Sequence, residues 1–130
     1  MEDPQIYAQR VFDYAEPLRA SGSRVLIGTI LPSDGTVGPA RDAERDAARR
    51  IYAQILAGAV GEKIDGLFDF GGHKVMGHDD APADRQLFSD GLHPTWRGTN
   101  GLPSGHDYLF EIFNNAIEAE LRALEQGHAN

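Results

Sequence analysis

Cysteine is missing from this 130-residue chain, so neither a disulfide, a thiolate metal site nor a cysteine nucleophile can be built from it. The redox compartment is left open. Basic residues are few: 12 Lys and Arg face 20 Asp and Glu, and the resulting net charge of -8 repels nucleic-acid phosphates and anionic lipid. No run of Lys or Arg makes a compensating patch, which leaves nucleic acid a poor partner. Long apolar runs are absent too. Nothing approaches the ~20 apolar residues of a membrane span, and the acidic opening Met1-Glu2-Asp3-Pro4 lacks the apolar segment of a secretory signal. As written, the chain is expected to stay off the membrane and in the cytoplasm where it is made.

What is present is the composition of an ordinary globular domain, 41% hydrophobic and 25% charged, and residues 1–130 suit one domain with a real core. Asp3-Pro4 reads as an N-cap and first helical position, and Tyr7, Val11, Tyr14 and Leu18 recur at helical spacing until Ser21-Gly22. The run Val25-Leu26-Ile27-Gly28-Thr29-Ile30-Leu31 is almost wholly apolar, the pattern of a strand buried on both faces of a parallel sheet, and Pro32 ends it. Residues 33–40 form a loop at its C-terminal end. Residues 41–57 predict a second helix. It carries Ala47, Ala48, Ile51, Ile55 and Leu56 on one side and Asp42, Asp46, Arg45, Arg49 and Arg50 on the other, and Gly58 and Gly61 close it.

Leu67-Phe68-Asp69-Phe70 predicts a short second strand, and residues 71–89 a long irregular loop rich in Asp, Gly and His. After a Gly-rich turn over 98–105, Ser104 and Asp107 make a capping box for a last helix. Its broad apolar face is Tyr108, Leu109, Ile112, Phe113, Ala116, Ile117, Leu121 and Leu124. Helix, strand, helix, strand, loop, helix is the alternation of an α/β layered fold with parallel strands. Two strands make a very small sheet. A strand as apolar as the first expects a neighbour on each side, so its open edge invites a complementary fragment or a second copy of the chain.

The chemistry concentrates in Ser89-Asp90-Gly91-Leu92-His93-Pro94. An Asp90 carboxylate that accepts the proton of one ring nitrogen of His93 fixes the tautomer and leaves the other nitrogen to take a proton from a nucleophile. Taken bare, the spacing is equally that of an Asp-Gly turn with a histidine packed beside a proline. An activated Ser or Thr to complete a triad is the conspicuous absence.

In this order of elements the residues resemble the SGNH or GDSL-type serine hydrolases, esterases and lipases, in their C-terminal half. The run from Val25 to Pro32 looks like the family's fourth strand and the loop after it, and Leu67 to Phe70 like the fifth. The segment Phe88-Ser89-Asp90-Gly91-Leu92-His93-Pro94-Thr95 is similar to the last conserved block. The resemblance implies a partial three-layer α/β/α, flavodoxin-like fold with about two parallel strands and three main helices, in which Asp90 and His93 are the triad acid and base. It also implies what is not here: the Ser of a Gly-Asp-Ser motif, and the Gly and Asn oxyanion donors. The first helix resembles the one that follows the Asn block, and the segment from Thr99 to Ser104 looks like an insertion.

Ser33 is the best internal nucleophile candidate because it follows the C-terminal end of a parallel strand, but Pro32 and a Gly-rich loop do not make the tight strand-to-helix turn of a nucleophile elbow. Ser89 lies beside the dyad, and Ser104 is better explained as a cap. His73, His78, Asp79 and Asp80 cluster as a metal site would, at a spacing matching no regular metal motif; a solvated acidic loop is the plainer reading. Trp96 either lines a substrate surface or covers the core. No cofactor is implied. Two functions follow: part of an ester hydrolase that is inactive alone and takes a small ester once completed, or a non-catalytic assembly module on the same scaffold.

Overall fold

In the computed structural model, which describes residues 3–38 and 42–128, the first helix, α1, occupies Pro4–Ala20 and begins where its cap predicts. Asp3 Oδ1 accepts the N–H groups of Gln5 (2.8 Å) and Ile6 (3.3 Å), and Pro4 fills a position whose N–H would have no helical partner. The buried stripe is Ala8, Phe12 and Ala15 with Val11 beside them. It is rotated from the expected Tyr7, Val11, Tyr14 and Leu18, and Tyr14 is 72% exposed. Small alanines allow the next helix to approach closely, and Tyr7 lies at the margin with its ring edge-on to Tyr52 at 5.0 Å.

That second helix, α2, is Ala43–Gly58, capped by Asp42, whose Oδ1 accepts the Arg45 N–H at 2.7 Å. The expected start at Arg41 lies outside the described residues. Here too the face is rotated: Asp46, Arg49, Tyr52 and Leu56 are buried while Ile51 is exposed. Arg49 is drawn inward by three acceptors, Ile30 O (3.1 Å), Asp46 Oδ1 (3.2 Å) and Asp79 Oδ1 (2.8 Å). Buried charge with this many partners is tolerated. Gly58 is the last helical residue, not a stop beyond the end, and Gly61, with φ of 91°, turns the chain back.

The strands are shorter than the apolar runs that encode them. β1 is Leu26–Gly28 and β2 is Gly66–Phe68, paired in parallel with Ile27 opposite Leu67. The bonds Asp65 N–H to Val25 O (2.8 Å) and Thr29 N–H to Phe68 O (3.0 Å) bracket this ladder. Beyond it the Thr29 side chain donates to Asp69 Oδ1 and accepts the Gly71 N–H, which diverts the chain from the sheet. Ile27 and Leu67 pack into the core of α1 and α2. Phe68 stacks on Phe113 of the last helix, α3, Gly105–His128, with centroids 4.9 Å apart. The sheet therefore has α1 and α2 on one face and α3 on the other.

The capping box at α3 is reciprocal: Ser104 Oγ accepts the Asp107 N–H (3.1 Å) and Asp107 Oδ2 accepts the Ser104 N–H (2.9 Å). The apolar face of α3 is only partly used, since Ile112 is buried while Phe113 and Leu121 are exposed. Among the described residues no helix is long and apolar enough to cross a membrane, and β1 has no strand partner besides β2.

Candidate active site

Residues 71–89, expected as an irregular loop, build a second core. Met76, Ala81, Leu87 and Phe88 are buried together against Leu31, Val75, Tyr108 and Leu109, and Ala81–Ala83 form a 3-10 turn. This core carries the site. Phe88, fully buried, makes an antiparallel bridge with Pro94, and Ser89 N–H donates to His93 O at 2.9 Å. The five residues between them form a closed loop whose reversal is made by Gly91 at φ of 81°.

Within that loop, His93 Nδ1 lies 2.7 Å from Asp90 Oδ2. The other carboxylate oxygen, Asp90 Oδ1, accepts the N–H groups of Leu92 (3.0 Å) and His93 (2.8 Å). With Nδ1–H donating to Asp90, Nε2 is the nitrogen left to accept a proton, and the His93 side chain is 68% exposed. The geometry is that of a histidine base held by an acid. Hydrogen bonds from the His93 backbone and ring, aided by the Leu92 N–H, hold the Asp90 carboxyl at about 2, below its ordinary 3.8.

A carboxyl depressed in the fold contributes stability that is complete above its unfolded value and is lost as pH falls through the folded one. The Asp90 contribution should therefore persist at pH 4 and fade towards pH 2. Carboxyl carbon NMR should find Asp90 titrating near 2, with His93→Ala moving the midpoint up; an ordinary midpoint in the folded wild type would refute the contact.

The loop after β1 braces the dyad from outside. Asp34 N–H donates to Gly91 O (3.1 Å), and Asp34 Oδ2 accepts from Arg85 at 3.3 Å. A Cβ on Gly91 would fall 1.8 Å from Asp34 Oδ1 and would sit on a positive φ, so a side chain there must displace Asp34 and strain the turn. The Asp34 carboxyl is lowered from its ordinary value by the Thr36 N–H first, then by the Thr36 hydroxyl and by Arg85. Nothing in the expected loop over residues 33–40 announces this brace. The only local signal was Gly91 between the two dyad residues.

This arrangement also brings the Ser33 loop against the dyad loop. It builds no elbow, because α2 begins only at Ala43, far along the chain from β1. Ser89 Oγ donates to the His93 carbonyl (3.3 Å), and Ser104 Oγ serves the helix cap and the Trp96 carbonyl (3.3 Å).

The histidine-rich segment is otherwise engaged. His73 Nδ1 accepts the N–H groups of Val75 and Met76, His78 Nδ1 accepts that of Asp80, and Asp79 pairs with Arg49 and Arg50. Among the described residues no three His, Cys, Asp or Glu side chains are grouped to hold a metal ion. The segment is packed through Met76 and the Asp79 ion pairs, while the His78 and Asp80 side chains are 64% and 68% exposed, as a solvated acidic loop expects. Trp96 does not cover the core: it is 80% exposed, its ring stacked on His106 at 4.1 Å.

Comparison with family models, curated proteins and solved structures finds no match to this chain.

Proposed function

We propose that this chain supplies the base and its orienting acid to a Ser-His-Asp centre for ester hydrolysis, on part of a flavodoxin-like α/β/α scaffold of the SGNH type. The observation that carries the reading is the 2.7 Å contact of His93 Nδ1 with Asp90 Oδ2 on an otherwise open imidazole. In the complete centre a serine hydroxyl attacks the ester carbonyl, His93 Nε2 takes its proton and returns it to the departing alkoxide, and the Asp90 carboxylate stabilises the imidazolium. A water activated by the same nitrogen then releases the acid. Serine and oxyanion donors come from outside the residues described above.

The topology supports a missing partner for β1. Its bonds to β2 fall at Val25 and Thr29, so by the period of two the N–H and C=O groups of Leu26 and Gly28 point to the open edge. Helices α1 and α2 lie on the same face, and crossovers of one hand on one face advance the sheet in one direction. A strand feeding α1 would therefore pair on the open side of β1, in the order new strand, β1, β2.

The chain alone should hydrolyse nitrophenyl butyrate no faster than buffer, and a polypeptide carrying the Gly-Asp-Ser strand with the Gly and Asn donors should restore hydrolysis on pairing. Hydrolysis by the pure chain that disappears in His93→Ala would overturn the proposal, because the nucleophile would then lie in this chain. The second reading, a non-catalytic assembly module, rests on the same edge. Light scattering that shows a self-associated chain, together with no hydrolysis after complementation, would favour it.

A further inference from the structure

We infer that the open side of α3 seats an amphipathic helix flanked by Lys or Arg, carried by the polypeptide that completes the sheet, an inference that rests on the reading of a missing part and names the surface where it docks. Phe110, Phe113, Ile117, Leu121 and Leu124 follow one another at three- and four-residue steps and so make one stripe along the helix. Phe110, Phe113 and Leu121 are 67%, 47% and 54% exposed. Anchors at this spacing are what a second helix packs against.

Position ties the stripe to the open edge of β1. α3 packs over β2, where Phe113 stacks on Phe68. Phe70 lies across β1 on the same face, since a Cβ on Gly28 would fall 2.9 Å from its ring, and it lines one hollow with Trp96, Phe110 and Phe113. The stripe therefore looks out over β1. Packed helices stand about 8–10 Å apart and paired strands about 4.8 Å, so a neighbour of α3 sits two strands along from β2. That place is above the strand which the open edge of β1 would accept.

Charge decides what kind of helix fits. Glu111, Glu118 and Glu125 recur every seventh residue as one exposed row beside the stripe, and Arg122, the one Lys or Arg of α3, stands further round the helix. The fourth glutamate, Glu120, is paired with Arg24. A second copy of the chain would bring the same row of carboxylates against its twin, like charge facing like. A helix with cations beside its apolar stripe meets complementary charge instead.

The probe is a stapled helix of about 18 residues, with Leu at three- and four-residue spacing and Lys on the flanks, which covers the roughly 21 Å from Phe110 to Leu124. Trp96, the sole tryptophan, stands at one end of the stripe and reports its arrival. Emission should move to shorter wavelength and saturate, with half-saturation at roughly 10–100 μM for one helix that buries less than a standard interface. The isomer with Glu in place of Lys should bind about tenfold more weakly. Leu121→Glu should weaken the Lys helix by about tenfold with the melting temperature unchanged. Joint Glu111→Lys, Glu118→Lys and Glu125→Lys should reverse the preference between the two helices, a result that loss of folding cannot imitate. Equal binding of both helices, emission that does not saturate, or an unchanged affinity in Leu121→Glu would overturn the inference. So would a dimer of the free chain that Leu121→Glu splits, since a second copy would then be the occupant. Hydrolysis is a separate readout, and His93→Ala should bind the Lys helix as the wild type does. Hydrolysis restored by a complementing polypeptide, with no binding of the Lys helix, would remove this surface and leave the hydrolase reading standing; binding without restored hydrolysis would do the reverse.

Discussion

In the completed hydrolase, His93→Ala should lower turnover by about a millionfold and Asp90→Asn by roughly ten-thousandfold, each with little change in KM. The first figure follows from the loss of the only base positioned to take the serine proton. The second comes from the hydrogen bonds around Asp90. An asparagine at this position would keep its amide oxygen where Oδ1 now accepts the Leu92 and His93 N–H groups, at 3.0 and 2.8 Å. Its NH2 group then faces His93 Nδ1 in place of Oδ2 and donates to it. The ring proton is driven to Nε2, the nitrogen that must accept from serine. The imidazole stays in place in the wrong tautomer, so binding survives and proton transfer does not. Initial rates on nitrophenyl butyrate decide the matter: a loss smaller than tenfold in either variant would remove His93 and Asp90 from the chemistry.

The dyad was legible in the sequence because it is local. Asp90 and His93 lie three residues apart, and the glycine and proline that shape their loop stand between and beside them. Two caps were legible for the same reason, as Asp3 and Ser104 act on N–H groups two or three residues ahead, whereas Asp42, expected inside the helix, is the cap of α2. What failed was information held by distant partners. The buried face of α2 was misread because Arg49 is recruited by Ile30, Asp46 and Asp79, and no periodicity of apolar residues reports a buried arginine. The strand from Val25 to Leu31 was read too long because strand length is set by the ladder available, here three residues of β2. The second core under residues 71–89 has apolar residues at irregular spacing, with Met76, Ala81 and Leu87 separated by polar turns, so it reads as loop.

Phe88→Ala should cost about 3–5 kcal/mol of folding stability, as removal of a fully buried ring leaves a cavity that its neighbours fill only in part. Against the ~5–15 kcal/mol expected of a domain this size, that is a large fraction, and the melting temperature should fall by roughly 10–20 °C. The same change at exposed Tyr14 should stay within about 0.5 kcal/mol. The two differ in a second way that ties packing to chemistry. Phe88 is the residue that bridges Pro94 and anchors the loop carrying Asp90 and His93 on the Met76 core. Once that anchor is loosened, the His93 hydrogen bonds that hold the Asp90 carboxyl near 2 weaken, and its midpoint should climb towards 3.8 in the folded variant. Denaturant unfolding and the Asp90 titration, measured together on Phe88→Ala, should move in concert; a protein that loses the stability while Asp90 still titrates near 2 would show that the second core is not what positions the dyad.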